Sequence, residues 1–195
     1  MGYLHVVVYF ILAAVSAQDV KYYLEGQDIR LVPYIVGKPN VIVWTHGGDD
    51  VVIWEWSMEQ RVFPPYDNRI ILDRASAELT IKNATYEDSG DYDLEVLINK
   101  WMPHFRYRIE VIDKVSKPNI SCEMSDAKQA TLVCSTESKH PHLLEFKWSS
   151  RGNEQTAPNL TITVENDDVY CCEVSNPLTN ETASFNAKDC FPDER

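Results

Sequence analysis

Two short segments of this sequence carry side chains that could bind a metal ion. His140 and His142 flank a proline, and two imidazoles at this spacing could form half of a transition-metal site. The run "EDSGDYDLE" at 87–95 offers carboxylates, which calcium prefers, but it lacks the ligand spacing of a known calcium loop. Histidines in exposed loops ordinarily carry no metal, and a turn followed by a solvated strand face explains the acidic run. The sequence therefore predicts no metal site and no cofactor.

Catalytic residues are not indicated either. An active site needs a nucleophile, a base and oxyanion donors that converge on one point. The histidines that could act as a base, His46 and His104 among them, fall at turns or strand ends without such companions. The sequence predicts a binding protein rather than an enzyme.

The first residues have the pattern of a secretory leader. Val6 to Leu12 is an apolar run too short to span a bilayer, and Val15-Ser16-Ala17 places small residues where a signal peptidase cuts. We therefore predict a signal peptide over 1–17 and an extracellular location. Four glycosylation sequons agree with that location, and their acceptors are Asn83, Asn119, Asn159 and Asn180.

Length and charge narrow the class of protein further. Removing 17 of the 195 residues leaves 178, which suits two domains of about 90 to 100 residues. A net charge of −12 repels phosphate, so nucleic acid and anionic membranes are poor partners. No second apolar stretch approaches the ~20 residues of a membrane span, and we expect any membrane anchor to lie beyond Arg195.

The cysteines indicate disulfides in the second half of the chain. The five are Cys122, Cys134, Cys171, Cys172 and Cys190. Secreted chains are oxidised, and no Cys-x-x-Cys pair suggests a zinc site.

The spacing of the cysteines relative to a tryptophan and a tyrosine indicates a fold. Trp148 follows Cys134 by fourteen residues and Tyr170 precedes Cys172 by two, which is the Cys…Trp…Tyr-x-Cys pattern of an immunoglobulin domain. We predict that Cys134 pairs with Cys172 between the sheets, and that Cys122 pairs with Cys190 across the ends of the domain.

Both halves consist of short alternating segments typical of β-strands, without helical periodicity. In the first half, Trp44 and Tyr92 occupy the positions of the buried indole and the corner tyrosine of an immunoglobulin sandwich. The segment "VVIWEW", after a hairpin turn over 47–50, adds a strand typical of a variable-type domain. Leu94 stands where the bridging cysteine of such a domain would be, so packing replaces the disulfide.

The predicted fold is therefore all-β, with two tandem immunoglobulin-like sandwiches. Domain one, over 18–113, is variable-type without a disulfide, and domain two, over 114–195, is constant-type with two disulfides. The segment 114–118 links them.

Three runs resemble the lymphocyte adhesion family related to the signalling lymphocytic activation molecules: "DNRIILD", "AELTIKNATYEDSGDYDLEV" and "CEVSNPLTNETASF". The resemblance implies a salt bridge between Arg69 and Asp88 that closes one end of domain one. It also implies a partner, a related immunoglobulin-superfamily receptor on another cell or a second copy of the chain. Two features depart from the family pattern: Cys171 lies beside Cys172, and the sequence stops at Arg195 without an anchor.

Alternation places two rows of charge on one face of domain one. Tyr92, Leu94 and Val96 should point inward, which leaves Asp93, Glu95 and Leu97 pointing to solvent. On the next strand, Arg106 and Arg108 should point to solvent as well. The resemblance implies that this face binds the partner, whereas the alternative is a solvated set of cross-strand ion pairs. Around its edges we place Asp49, Asp50, Glu55, Lys100 and Trp101.

The predicted function is cell adhesion, with domain two as a spacer. A signalling receptor ectodomain without its tail and a secreted decoy are the alternatives.

Overall fold

The computed structural model describes residues 19–165 and 168–191, so the predicted signal peptide lies outside the described residues. Within these ranges the strands are β1 (Val20–Leu24), β2 (Ile29–Leu31), β3 (Val41–His46), β4 (Asp49–Glu55), β5 (Arg61–Val62), β6 (Ile70–Leu72), β7 (Leu79–Ile81), β8 (Gly90–Leu97), β9 (His104–Ile112), β10 (Asn119–Met124), β11 (Gln129–Ser135), β12 (Glu145–Ser150), β13 (Asn153–Thr156), β14 (Asn159–Thr163), β15 (Val169–Ser175) and β16 (Asn180–Asn186). Three short 3-10 helices span Tyr86–Asp88, Pro141–Leu143 and Ala187–Asp189. No helix in the described ranges is long and apolar enough to cross a membrane.

Domain one is a sandwich of two sheets, which confirms the predicted all-β class. One sheet has six strands in the order β1-β9-β8-β3-β4-β5, and the other has three in the order β2-β7-β6. β1 runs parallel to β9, and the other pairs are antiparallel. Every second residue of the long strands faces the opposite sheet, so their apolar positions form one core.

Packing holds the sheets of domain one together where a disulfide would otherwise lie. Leu94 pairs in register with Trp44, and both side chains are fully buried. Pro33, just past β2, is buried as well. The Trp44 indole Nε1 donates a hydrogen bond to the carbonyl of Ala77 at 3.0 Å. Burying one leucine side chain contributes about 1.5–3 kcal/mol to stability, which replaces part of the stabilisation that a disulfide would add.

The turn into β8 is fixed by buried polar contacts. The Tyr92 hydroxyl donates to the Asp88 carbonyl at 3.0 Å, the contact of a tyrosine corner. The Asp88 carboxylate accepts from Arg69 Nη2 at 2.7 Å and from Arg69 Nη1 at 2.9 Å. It also accepts from the backbone N–H of Thr85 at 2.8 Å. Burial by itself would raise the pKa of Asp88, but these hydrogen bonds lower the pKa below its ordinary value.

The hairpin between β3 and β4 is tighter than the sequence suggested. Gly47 and Gly48 form the turn with φ values of 59° and 96°, and a two-residue turn of this type needs positive φ at both positions. Asp49 and Asp50 are therefore the first residues of β4 rather than turn residues.

Domain two is a smaller sandwich with three strands in the order β10-β11-β14 facing four in the order β13-β12-β15-β16. Both predicted disulfides are confirmed: Cys134 joins Cys172, and Cys122 joins Cys190. Cys190 follows the last 3-10 helix rather than lying in the last strand. Trp148 and Tyr170 are buried in the core around the first bridge.

Cys171 is a free thiol with a half-buried side chain, next to bridged Cys172 in β15. Under native, non-reducing conditions we expect iodoacetamide to modify Cys171 alone, because the other four cysteines are bridged. Peptide mapping of the alkylated protein by mass spectrometry measures this. A peptide that links Cys134 to Cys171 would contradict the register of β15.

The two sandwiches meet at Asp113, which organises the junction. Its carboxylate pairs with His140 Nδ1 at 2.9 Å and accepts from Ser138 Oγ at 3.2 Å. Asn176 Nδ2 donates to the Asp113 carbonyl at 2.8 Å. The His140 ring also lies against the Tyr86 ring, at 5.7 Å between centroids. We predicted an exposed loop histidine at 140, whereas the structure makes it a largely buried member of the interdomain contact.

His142 takes part in the same junction, with its Nε2 at 3.6 Å from Glu110 Oε1. The two histidines thus pair with acidic groups of domain one. No group of three or more His, Cys, Asp or Glu side chains among the described residues could hold a metal ion.

Candidate partner-binding face

The outer face of the six-stranded sheet carries the predicted charge rows. Asp93 lies opposite Arg106 on the neighbouring strand, and Glu95 lies opposite His104. The intervening Tyr92, Leu94 and Val96 are fully buried. Because side chains alternate along a strand, burial of these three sends the charged ones to solvent.

Most of these charges are paired across the two strands. Arg106 Nε lies 2.8 Å from Asp93 Oδ1, and Nη2 lies 3.3 Å from Oδ2. His104 Nε2 approaches the same carboxylate at 2.9 Å. The Asp93 hydrogen bond raises the pKa of Arg106 above its ordinary value.

One step along the sheet, Arg108 Nη1 lies 3.5 Å from Asp91 Oδ1. Asp91 and His104 were not predicted as members of this face. Alternation predicts that both face outward, because they lie two residues before Asp93 and Arg106, whereas their pairing follows from the β8–β9 register.

The pairing leaves one acid of the row without an ionic partner. Glu95 is exposed and forms no ion pair with any described residue. The pairs that do form are also exposed, with 53% of the Arg106 side chain and 58% of the Arg108 side chain accessible. Exposed pairs of this kind contribute about 0.2–1 kcal/mol, so a partner's charges could replace them at small cost.

Beside the charged rows lies an apolar strip. Val41, Val43, Leu97 and Met102 surround, with Glu95, a shallow concavity of about 260 Å³. The sequence argument placed Leu97 outward but did not include the valines. Alternation along β3 predicts their direction, because Trp44 is buried and the valines at odd positions must therefore face outward.

The predicted edge residues lie at opposite ends of the face. Asp49 and Asp50 pair with His46 and Thr45 at the end of the sheet nearest domain two. Glu55 lies at the other end of β4, about 20 Å away by strand rise. Lys100 and Trp101 belong to the turn between β8 and β9 at that far end.

At the far end of domain one, the loop after β2, the loop after β4 and the turn between β8 and β9 expose large apolar side chains. Asn40 joins the loops: its N–H donates to the Leu97 carbonyl at 2.7 Å, and its carbonyl accepts from the Trp56 N–H at 2.7 Å. Tyr34 is 85% exposed, and Trp56 and Trp101 are 54% and 56% exposed. Grouped apolar surface of this kind is typical of interaction sites.

The predicted glycan acceptors all avoid the six-stranded sheet. Asn83 is exposed in the turn after β7, near the junction between the domains. Asn119, Asn159 and Asn180 are the exposed first residues of β10, β14 and β16 in domain two. Glycans at these four positions would leave the candidate face uncovered.

The topology of both sandwiches, the tyrosine corner and the bridge beside Trp148 define a tandem immunoglobulin-like protein. The chain is a homologue of human lymphocyte function-associated antigen 3, with 28% identity over 158 residues, 77% of this chain and 62% of the human protein. The chain thus spans less than two thirds of the length of that curated relative. This similarity confirms the predicted resemblance and agrees with a binding protein rather than an enzyme.

Solved structures of other proteins agree with the immunoglobulin-like fold. The CD2-binding domain structure of CD58, which is lymphocyte function-associated antigen 3, superposes with a TM-score of 0.70 at 22% identity, covering 85% of this chain and 94% of that chain. Murine CEACAM1b gives a TM-score of 0.70 at 17% identity, with 85% and 94% covered. No protein-family model matches the chain.

Proposed function

We propose that the chain is an extracellular adhesion ligand that binds an immunoglobulin-superfamily receptor on another cell through the outer face of β9, β8, β3 and β4. Domain two then acts as a spacer. The observation that carries the proposal is the exposed row of acids and bases on β8 and β9, beside an apolar strip and free of glycan acceptors.

The physical character of the face suits this role. Complementary charges give specificity and a fast association rate more than affinity, because each ion pair loses hydration on binding. A polar interface below about 1,200 Å² is expected to be weak and short-lived. Many such bonds acting together between two cells give strong adhesion. The homology to lymphocyte function-associated antigen 3, whose related structure is described as CD2-binding, supports the same class of partner.

Charge reversal on the face tests the proposal. Glu95→Lys and Arg108→Glu should each weaken receptor binding about tenfold or more. Each reversal places a charge opposite a receptor residue of the same sign, where the original side chain would form an ion pair. The melting temperature should hardly change because both side chains are exposed. Surface plasmon resonance against a panel of lymphocyte immunoglobulin-superfamily receptors measures the affinities, and binding should fall as salt is added.

The matched control is Glu145→Lys on β12, an exposed carboxylate of domain two. It should leave binding unchanged. If instead the control abolished binding while both domain-one reversals bound as the wild type does, domain two would be the recognition module.

A further inference from the structure

The three loops at the far end of domain one form an exposed apolar surface that the proposed receptor contact does not require. We call this surface the tip and define it by residues 34–40, 56–60 and 98–103. Of the twelve large apolar side chains that are exposed among the described residues, six belong to the tip: Tyr34, Val36, Trp56, Met58, Trp101 and Met102. Each of the six is more than half exposed. Such a concentration of apolar surface is typical of an interaction site.

The tip is a preformed surface, because contacts between its loops fix them side by side. The Asn40 side-chain oxygen accepts from the Asn99 N–H at 2.8 Å, and the Asn40 carbonyl accepts from the Trp56 N–H at 2.7 Å. Gly37 lies so close to the third loop that a Cβ there would be 2.8 Å from Ile98 Cγ2. These contacts pair backbone groups within the tip, and the apolar side chains are left facing solvent.

The charge of the tip differs from that of the chain as a whole. The tip contains Lys38 and Lys100 against one acid, Glu59, which gives a net charge of +1, whereas the whole chain carries −12. The Lys38 Nζ lies 4.1 Å from the centroid of the Trp56 ring, so this ammonium group is held beside an exposed indole. A partner must therefore match apolar side chains that are mixed with two cations and carry almost no net charge.

The position of the tip leaves it open to a large partner. It lies at the end of domain one opposite the junction with domain two. Among the predicted glycan acceptors, Asn83 is near that junction and the other three are in domain two. An extended surface such as a membrane can therefore approach the tip without meeting a glycan.

We propose that the tip inserts into the headgroup region of a zwitterionic lipid bilayer. Tryptophan and tyrosine are enriched at membrane–water interfaces, because an apolar ring carries a polar N–H or O–H group. Lys38 and Lys100 reach the lipid phosphates while their aliphatic stems stay in apolar surroundings. The acidic surface behind the tip is repelled by anionic lipids, so a bilayer without net charge fits better than an anionic one.

A second copy of the chain fits the tip less well. A two-fold contact brings the same patch of both copies together, so projecting side chains would meet projecting side chains and lysines would meet lysines. A fluid bilayer instead adapts to projecting side chains in any arrangement.

Vesicles of dioleoylphosphatidylcholine test the proposal with the full chain. Vesicles whose acyl chains carry bromine should quench the emission of Trp56 and Trp101, because bromine quenches at short range and these indoles lie among the lipids. Trp44, Trp54 and Trp148 are buried and should keep their emission. The total tryptophan fluorescence should therefore fall in part and then level off as brominated vesicles are added.

Two variants separate the tip from the rest of the surface. Trp56→Ser combined with Trp101→Ser should weaken binding to the vesicles about tenfold or more, as measured by co-sedimentation, because it removes both indoles from contact with lipid. Ile71→Ser is the matched control, since Ile71 is 52% exposed on β6 of the other sheet, and it should bind as the wild type does. Both proteins should melt close to the wild-type temperature, because the replaced side chains are exposed.

The proposal is wrong if phosphatidylcholine vesicles leave the wild-type fluorescence unchanged, or if the double serine variant binds them as the wild type does. It is also wrong if binding requires an anionic lipid such as phosphatidylserine. If sedimentation velocity showed a wild-type dimer that the double variant abolishes, the tip would be a contact between two copies of the chain instead.

Discussion

Replacing Asp88 by alanine should lower the free energy of unfolding of domain one by about 3–5 kcal/mol, the usual cost of removing one partner of a buried ion pair. Only 2% of the Asp88 side chain is exposed, against 24% of Arg69. The variant leaves the Arg69 guanidinium half-enclosed without its carboxylate and removes the acceptor of the Thr85 N–H. Urea denaturation followed by the fluorescence of the domain-one tryptophans measures the loss.

The matched control is Asp91→Ala, which also removes a carboxylate paired with an arginine. That pair is exposed, with 41% of the Asp91 side chain accessible, so the loss should not exceed about 1 kcal/mol. Similar losses for the two variants would contradict the buried role of Asp88.

The pH dependence gives a second readout of the same pair. Because folding lowers the pKa of Asp88, its stabilisation is fully present above the ordinary aspartate value of 3.8 and is lost as the pH falls through the folded pKa. The stability difference between the wild type and Asp88→Asn should therefore be largest near neutral pH and shrink below pH 3.8.

Reduction should destabilise domain two by several kcal/mol while domain one keeps its fold. The bridges close loops of 38 and 68 residues, and loop-closure entropy gives about 4 kcal/mol for each. Domain one contains no cysteine, so a reductant has no bond to break there. Hydrogen exchange of the intact chain, read by mass spectrometry with and without dithiothreitol, separates the two domains.

Peptides from β12 and β15 should lose protection on reduction, and peptides from β3 and β8 should not. Non-reduced protein alkylated at Cys171 is the control for the thiol itself. Equal loss of protection in the two domains would mean that domain one depends on domain two for its stability.

Local sequence patterns were enough to predict the architecture. Period-two alternation identifies strands because side chains of a half-buried strand face opposite ways, and it placed Tyr92, Leu94 and Val96 inward as found. The spacing of Cys134, Trp148 and Cys172 predicted the inter-sheet bridge, because such a sandwich always brings these positions together.

The tertiary structure alone decided which side chains meet. His104 lies opposite Glu95 in the β8–β9 register, but its side chain pairs with Asp93, which also pairs with Arg106, so Glu95 is left without an ion pair among the described residues. Alternation cannot show this difference. Likewise His140 reaches Asp113 across 27 positions of sequence, so it belongs to the junction and not to an exposed loop.

The indole of Trp148, whose Nε1 has no hydrogen-bond partner among the described residues, shows the same limit. The sequence placed this indole and Trp44 in equivalent positions, and both are buried. Whether a buried donor finds an acceptor depends on which strand crosses over it, and β6 of domain one has no counterpart in the described part of domain two. Side-chain direction is a local property that the sequence determines, whereas hydrogen-bond partners are supplied by distant segments that only the folded chain brings into contact.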